Sequence, residues 1–218
     1  MIQKIMLFLQ LPFYEKCNYL ALVWAKVKTY TLYKYALKAL GKSCIIKNPL
    51  LLKNAHYITL KDRVIVRDHA RLECIAQKGN QIFTPHLILE EGVSIEQRCH
   101  ITAADELIVG RNTTLLFDVM ITDIDHNYQT LNVPIAQQAL HVKKTKIGEN
   151  CFLGSGVKIQ AGTILGKHCV VGANAVVRGE FPDYCVIVGI PAKIVKRYDV
   201  ITKQWEKTDA KGNFKDEI

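Results

Sequence analysis

The sequence lacks several features that would assign it to a common class. Its seven cysteines form no Cys-x-x-Cys pair, which argues against a structural zinc site and favours free, small, buried thiols in a reducing compartment. It contains no signal-peptide cleavage pattern and no uncharged apolar run long enough to span a bilayer. We therefore expect a cytoplasmic protein. With 218 residues and 49% hydrophobic content, the chain can bury a core without disulfides.

Acidic residues are scarce at the start of the chain. Residues 1–47 contain eight lysines and one acid, Glu15, and carry a net charge of +7, whereas the rest of the chain carries only +2. Because the body of the protein is nearly neutral, the total of +9 does not indicate a nucleic-acid partner. Residues 1–43 have no glycine before Gly41 and are predicted to form a basic helical appendage that is interrupted near Pro12.

The most informative pattern is an aliphatic residue at every sixth position. Its clearest run comprises Ile147, Leu153, Ile159, Leu165, Val171 and Val177. Helices repeat their contacts every 3.6 residues and strands every 2, so a period of six predicts a coil of short steps with one apolar side chain per step pointing inward. Glycines follow four of these anchors, where the chain is expected to turn a corner and a Cβ would be costly: Gly148, Gly154, Gly166 and Gly172. The pattern predicts an all-β solenoid, a parallel β-helix over residues 44–195 with three hexads in each triangular turn.

Two stretches interrupt the repeat. Residues 73–88 read as an insertion between coils. The hexads stop again after Ile121 and restart at Ile147, and the intervening segment is polar. Because long irregular loops in compact folds are usually functional or disordered, residues 122–146 are predicted to form a protruding active-site loop. Residues 196–218 are expected to form a polar C-terminal tail.

Several motifs within residues 89–197 resemble the hexapeptide-repeat acyltransferases. They read ITDIDHNY, VPI, KIGENCFLGSGVKIQAGTILGKHCVVGANAVVRGEFPDY and VGIPAKIVK. The resemblance implies a left-handed β-helix, acetyl-CoA as co-substrate, and a homotrimer with active sites between neighbouring subunits. The branch it resembles contains sugar O-acetyltransferases of the galactoside and maltose type and their relatives in bacterial polysaccharide gene clusters. We therefore expect an acetyl-CoA-dependent O-acetyltransferase that acts on a sugar hydroxyl, in a surface polysaccharide such as lipopolysaccharide or in its precursor.

The resemblance assigns the role of general base to His126, five residues after the anchor Ile121. Imidazole suits the task because its ordinary pKa lies near neutral pH and a neutral alcohol is a poor nucleophile. Asp123 and Asp125 are both candidates to orient the ring. Asp123 is slightly preferred, since adjacent residues in an extended chain point apart. The other histidines, His100, His141 and His168, are expected to lie at the surface or between coils.

The resemblance also implies a binding site for the cofactor. Ser155 matches a position that contacts the thioester end of the cofactor, and Ala173 matches a small residue beside its pantetheine arm. Arg178 and Lys196 match cofactor-contacting positions, and their charge suits phosphate. No residue is expected to bind a metal.

Two positions depart from the resemblance on the acceptor side. Glu96 stands where the galactoside enzymes carry an asparagine that contacts substrate, and Phe152 stands where they carry a tryptophan that lines the acceptor pocket. The identity of the saccharide acceptor is therefore open.

Other functions remain as alternatives. They include N-acetylation of an amino sugar and acetylation of an antibiotic. A γ-type carbonic anhydrase would need three histidines that converge on zinc, and His126 has no histidine within ten residues. A non-catalytic scaffold is the remaining class.

The basic segment 1–43 allows two interpretations. Its aromatic residues and lysines suit peripheral contact with the inner face of a membrane, and Leu20, Val23 and Val27 form an apolar stripe at helical spacing. The same segment could instead pack on the first coil or on the base of a trimer.

Overall fold

The computed structural model describes residues 8–214, so parts of the predicted appendage (1–7) and tail (215–218) lie outside the described residues. The described chain is a parallel β-helix that follows an N-terminal helix. Residues 8–10 are helical. Helix α1 (Phe13–Lys28) begins after Pro12 and continues through a π-helical turn (Thr29–Tyr33) into a last helical turn (Lys34–Ala36).

The β-helix has three faces, each a sheet built from successive coils. The first face contains β1 (Ala39–Leu40), β4 (Ile58–Leu60), β9 (His86–Leu89), β12 (Glu106–Val109), β17 (Thr145–Ile147), β20 (Ile164–Leu165) and β23 (Glu180–Phe181). The second face contains β2 (Ile45–Ile46), β5 (Ile65–Val66), β10 (Ser94–Ile95), β13 (Thr114–Leu115), β18 (Phe152–Leu153), β21 (Val170–Val171), β24 (Cys185–Gly189), β25 (Ala192–Asp199) and β26 (Gln204–Lys207). The third face contains β3 (Leu51–Lys53), β6 (Arg71–Cys74), β11 (His100–Ala103), β14 (Met120–Thr122), β19 (Lys158–Ile159) and β22 (Val176–Val177).

The hexad anchors form the core. Leu115 pairs in register with Leu153, and Leu153 pairs with Val171, so equivalent anchors stack directly on one another. Ile121, Ile147 and Leu153 are completely buried. The prediction that the aliphatic anchor of each hexad points into the core is confirmed. The coil begins at β1, a few residues before the predicted boundary at residue 44, and β25 and β26 extend the second face antiparallel into the segment predicted as a tail.

The glycines of the repeat are needed for close stacking of coils. At Gly148 and Gly166 a Cβ would collide with the backbone of the next coil, and at Gly154 it would lie 2.7 Å from the backbone nitrogen of Ala173. None of these three glycines has a positive φ. The sequence predicted that a Cβ would be costly at these corners, and the physical reason is contact between neighbouring turns.

Six of the seven cysteines are buried, and Cys17 is exposed. Cys99, Cys151 and Cys169 lie in the core, as their small-residue positions in the repeat predicted. Burial raises the pKa of Cys99 to about 12 and that of Cys74 to about 11. Both thiols are therefore protonated and act as small apolar side chains.

Two hairpins leave the coil where the third face turns into the first. Strands β7 (Gln77–Lys78) and β8 (Gln81–Ile82) form the first hairpin, within the predicted insertion. Strands β15 (Ile124–His126) and β16 (Leu140–Val142) form the base of the second, within the predicted loop 122–146. The only other short helices in residues 8–214 are single 3-10 turns at Ala55–Tyr57 and Ile135–Gln137.

Helix α1 packs on the first coil through one face. Ala25 and Thr29 are buried, and the Thr29 hydroxyl donates to the Ala25 carbonyl (2.7 Å) and accepts from the Ile46 amide (2.8 Å). Leu20, Val23 and other residues of the opposite face are exposed. Among the described residues, no helix combines the length and apolar composition needed to cross a bilayer.

Candidate active site

His126 lies at the end of strand β15, where the second hairpin projects from the coil. The register pairs His126 with Leu140 and Asp125 with His141 across the hairpin. Side chains alternate along a strand, so His126 and Ile124 share one side of β15. Both contribute to the same cleft beside the third face.

That cleft, the His126 pocket, has a volume of about 280 Å³. Its floor consists of outward-pointing residues of the third face, which flank the buried anchors Ile101 and Ile121: His100, Thr102, Met120 and Thr122. Its walls come from the two hairpins and the residues that lead into them: Ile75, Lys78, Ile124 and Leu140. Most of these side chains are aliphatic or carry a methyl group, so the polar groups that face a bound molecule are few.

His100 belongs to this pocket, although the sequence predicted a surface or inter-coil residue. Its Nε2 lies 2.9 Å from the Thr102 hydroxyl, and burial lowers the pKa of the ring, with the Arg71 charge adding to the effect. Of the pocket residues that sequence reasoning missed, the four floor residues share one signal. They stand one position before or after the anchors Ile101 and Ile121 on consecutive coils and therefore point outward from the same sheet. The wall residues of the hairpins carry no such signal.

Asp123 has a structural position that differs from the predicted one. Its carboxylate is completely buried and accepts hydrogen bonds from the Ala104 amide (2.9 and 3.0 Å) and the Asp105 amide (2.8 Å). Burial raises the pKa of Asp123 to about 6, and these backbone donors oppose that rise. The Asp123 carbonyl accepts from the Lys143 amide (2.7 Å), so the residue fixes the point where the hairpin leaves the coil.

Asp125 is held by two cations. Its carboxylate accepts from Arg178 Nη2 (2.7 Å) and from Lys143 Nζ (3.2 Å), and Arg178 Nε also donates to the Gln160 side chain (2.9 Å). Partial burial by itself would raise the pKa of Asp125, but the two cations outweigh it and lower the pKa below its usual range.

In the described part of one protomer, neither aspartate forms a hydrogen bond or an ion pair with the imidazole, and the orienting role stays a prediction. Asp125 and His126 are neighbours within β15, so alternation directs the Asp125 carboxylate to the opposite side of the strand. Asp123 lies at the bend before β15, where backbone amides hold its carboxylate.

The predicted cofactor residues fall into separate groups. Ser155 and Ala173 lie on adjacent coils where the second face turns into the third, and the Asn174 amide donates to the Ser155 carbonyl (2.8 Å). Glu96 lies at the same corner, where it accepts from Arg67 Nε (2.9 Å). Arg178 lies at the corner of His126 instead, because its partner is Asp125.

The remaining predicted residues lie on the second face. Phe152 is on β18 with 45% of its surface exposed, and Lys196 is exposed on β25, paired with Val186. The third face thus has Ser155 and Ala173 along one edge and His126 with Arg178 along the other. A side of six residues, at about 3.3 Å per residue, is up to ~20 Å wide. The two groups are therefore far apart within one protomer.

Comparison with known proteins matches residues 144–179 to the model of the bacterial transferase hexapeptide (six repeats). The chain is 37% identical over 128 residues to WbbJ of Escherichia coli (strain K12), named as a lipopolysaccharide biosynthesis O-acetyl transferase. That match covers 56% of this chain and 65% of the relative. The chain is 28% identical to a galactoside O-acetyltransferase of Lactococcus lactis, over 49% of this chain and 51% of the relative. It thus spans less than two thirds of the length of either relative.

Solved structures show the same fold. AntD, an N-acyltransferase from Bacillus cereus in complex with dTDP and 3-hydroxybutyryl-CoA, matches with a TM-score of 0.67 and 14% identity over 80% of this chain and 90% of AntD. A maltose O-acetyltransferase from Clostridium difficile 630 matches with a TM-score of 0.54 and 19% identity over 85% of this chain and 86% of that one. The resemblance to the hexapeptide-repeat acetyltransferases is confirmed. The left-handed parallel β-helix predicted from it is confirmed as well.

Proposed function

We propose that the protein is an acetyl-CoA-dependent O-acetyltransferase that acts on a sugar hydroxyl, with His126 as general base. The observation that carries this proposal is the imidazole of His126, which the second hairpin places at a pocket of about 280 Å³. That volume is near the lower end of the range for small-molecule sites, about 300 Å³. The similarity to an E. coli protein named for lipopolysaccharide O-acetyl transfer supports a surface polysaccharide or its precursor as acceptor.

The chemistry needs one proton acceptor and no covalent enzyme intermediate. The acceptor oxygen attacks the thioester carbonyl carbon while His126 takes the hydroxyl proton. The carbon–sulfur bond then breaks, and the proton passes from the imidazolium to the departing thiolate, which leaves an acetyl ester and the free thiol of coenzyme A. Residues 122–146 contain no cysteine or serine, which favours direct transfer over an acyl-enzyme. Backbone amides near Ser155 are candidates to stabilise the oxyanion.

We further propose a homotrimer in which each site is shared by two subunits. Within one protomer, His126 and the slot formed by Ser155 and Ala173 lie at opposite edges of the third face, up to ~20 Å apart. A symmetric neighbour can bring its own slot next to His126 and so complete the site.

Replacing the base tests the activity. We expect His126→Gln to lower the rate of thiol release from acetyl-CoA by about a hundredfold or more in the presence of acceptor. His141→Gln is the matched control, because His141 is an exposed histidine on the opposite strand of the same hairpin. Full turnover by His126→Gln would contradict the proposed function and favour a non-catalytic scaffold.

Mixing two inactive variants tests the shared site. His126→Gln removes the base, and Ala173→Trp fills the slot. If the site lies between subunits, a mixed assembly contains some interfaces with both parts intact. Random mixing in equal amounts then restores up to about a quarter of wild-type activity. A mixture that stays inactive, or a stable monomer in light scattering, would contradict the trimer.

The acceptor class is tested by a panel of sugars, nucleotide sugars and amino sugars assayed for acetyl-dependent thiol release. We expect a hydroxyl of a saccharide to be acetylated. Transfer to an amine instead, identified by mass spectrometry of the product, would favour the N-acetyltransferase alternative.

We also propose that α1 contacts an anionic membrane surface at the inner face of the membrane. Its outer face exposes an apolar stripe, with Leu20, Val23 and Val27 at 57%, 42% and 43% exposure and Trp24 beside them. The segment 1–47 has a net charge of +7, which complements anionic lipid head groups. Because Ala25 and Thr29 already pack on the coil, the stripe is the surface that remains for a lipid interface.

Vesicle co-sedimentation tests this contact. We expect the wild type to bind vesicles that contain anionic lipid, to bind purely zwitterionic vesicles less, and to be released by salt. The combined Val23→Gln and Val27→Gln variant should lose binding. Leu50→Gln, which alters an aliphatic residue with 70% exposure on the coil, should retain it. Equal binding by all three proteins would remove the membrane proposal.

A further inference from the structure

The hairpin β7–β8 supplies Lys78 to the wall of the His126 pocket, and it also contacts the second hairpin. Gln81 forms two hydrogen bonds to the backbone of one residue that lies 59 positions later. Its Nε2 donates to the Leu140 carbonyl (3.1 Å), and its Oε1 accepts from the Leu140 amide (2.6 Å). A side-chain amide presents a donor and an acceptor side by side, so Gln81 satisfies both backbone groups of Leu140.

Leu140 is the residue directly opposite His126 in the antiparallel pair. It is 6% exposed and contributes to the His126 pocket, as does Lys78 of the first hairpin. By holding Leu140, Gln81 fixes the position of strand β16. The pairing of β16 with β15 in turn fixes where His126 lies in the pocket. The first hairpin also supplies one wall of the pocket in which His126 would act.

A tether of this kind is needed because the second hairpin is small. Its strands have three residues each, and an isolated two-stranded hairpin is marginally stable in water. Asp125 holds β15 to the coil through Arg178, while Gln81 holds β16. Without the second attachment, His126 would be displaced relative to the pocket, and a misplacement of about 1 Å can cost up to a hundredfold in rate.

We propose that Gln81 is a positioning residue for His126, and that the first hairpin acts on the base through this one side chain. This inference rests on the proposed function. Gln81 does not touch the reacting atoms; it acts through Leu140. The insertion between the second and third coils thus acts on the site through its contact with the later hairpin.

The test compares two glutamines of one hairpin. Gln81→Met keeps the length of the side chain and removes both hydrogen bonds to Leu140. Gln77→Met is the matched control, because Gln77 is exposed and donates only to the Gly79 carbonyl within its own turn (3.1 Å). We expect Gln81→Met to lower kcat by about tenfold and to leave KM for acetyl-CoA within about twofold. Gln77→Met should change neither.

Amide hydrogen exchange gives a readout that does not depend on activity. In Gln81→Met, peptides covering residues 124–142 should exchange faster, whereas peptides from the coil should exchange as in the wild type. Gln81→Asn, which is one methylene too short to make both hydrogen bonds, should behave like Gln81→Met. This second variant keeps the test decisive if the methionine variant misfolds.

Two results would overturn the inference. One is a kcat for Gln81→Met equal to that of Gln77→Met. The other is unchanged exchange across residues 124–142 in both Gln81 variants. Failure of the proposed function is distinguishable, because it is reported by full turnover in His126→Gln, while the exchange experiment still tests the contact between the hairpins.

Discussion

The coil and the two hairpins that leave it are organised on different principles. In the coil, the position of a residue within its hexad decides its environment, so Leu115, Leu153 and Val171 stack as equivalents. In the hairpins, single contacts over long sequence separations decide the geometry, as between Asp125 and Arg178 or Gln81 and Leu140. The repeat provides a rigid support with many redundant contacts. The hairpins provide single, non-repeated contacts that position a reactive group, and one substitution can remove each contact.

The largest expected effect is on stability, and it comes from making the same change, glycine to alanine, once in the coil and once in a hairpin. Gly148→Ala places a Cβ against the Gly166 carbonyl group in the next coil, where backbone cannot move aside. We expect it to lower the free energy of unfolding by about 3 kcal/mol. Gly79→Ala in the first hairpin meets no atom within 4 Å, but its φ is +56°. That substitution should cost about 1 kcal/mol.

Urea denaturation of the two alanine variants, followed by circular dichroism, measures the difference. Equal shifts in the denaturation midpoint would show that the coil tolerates a wider spacing of its turns. In that case, the contrast between a rigid coil and tolerant hairpins would be wrong.

A smaller effect is expected at Asp123, where the coil and the second hairpin join. Burial raises its pKa to about 6, so the folded state binds this proton more tightly than the unfolded state. The resulting stabilisation is complete below the ordinary pKa near 4 and is lost as the pH rises through 6. Between pH 5 and 7, the free energy of unfolding of the wild type should fall by about 1 kcal/mol from this group. That of Asp123→Asn should not show this fall.

The comparison between the two proteins isolates Asp123 from other titrating groups. Burial lowers the pKa values of His86 and His100, so these rings act in the opposite direction on acidification, but they are present in both proteins. Urea midpoints at pH 5, 6 and 7 provide the measurement. If the free energies of unfolding of the two proteins change with pH in parallel, the pKa of Asp123 is not raised in the folded state.

Much of the fold could be predicted because the repeat reports it directly. Anchors such as Ile121 and Ile147 are buried where the hexads placed them, and the interruptions at 73–88 and 122–146 contain the two hairpins. The partner of His126 could not be predicted in the same way. The local sequence offered two aspartates. In one protomer the Asp123 carboxylate accepts from backbone amides, and the Asp125 carboxylate accepts from Arg178 and Lys143.

The candidate site shows the same limit at longer range. Matching Arg178 to a cofactor position did not reveal that it pairs with Asp125, 53 residues earlier. Ser155 and Ala173 lie together on adjacent coils, but on the edge of the third face opposite to His126. A match between sequences gives the position of a residue along the chain. It does not show on which side of the coil the side chain lies, and that side decides which residues meet.

The sequence by itself determined that the chain forms a parallel coil, because a buried aliphatic residue at every sixth position requires short strands stacked turn on turn. The left hand of the coil was implied by the family resemblance. The sequence also determined where the chain leaves that coil, because the period stops there. Only the tertiary structure decided which groups meet beside His126. Those contacts, from Gln81 and Arg178, arise because segments distant in sequence reach the same corner of the coil, each two turns away from the second hairpin.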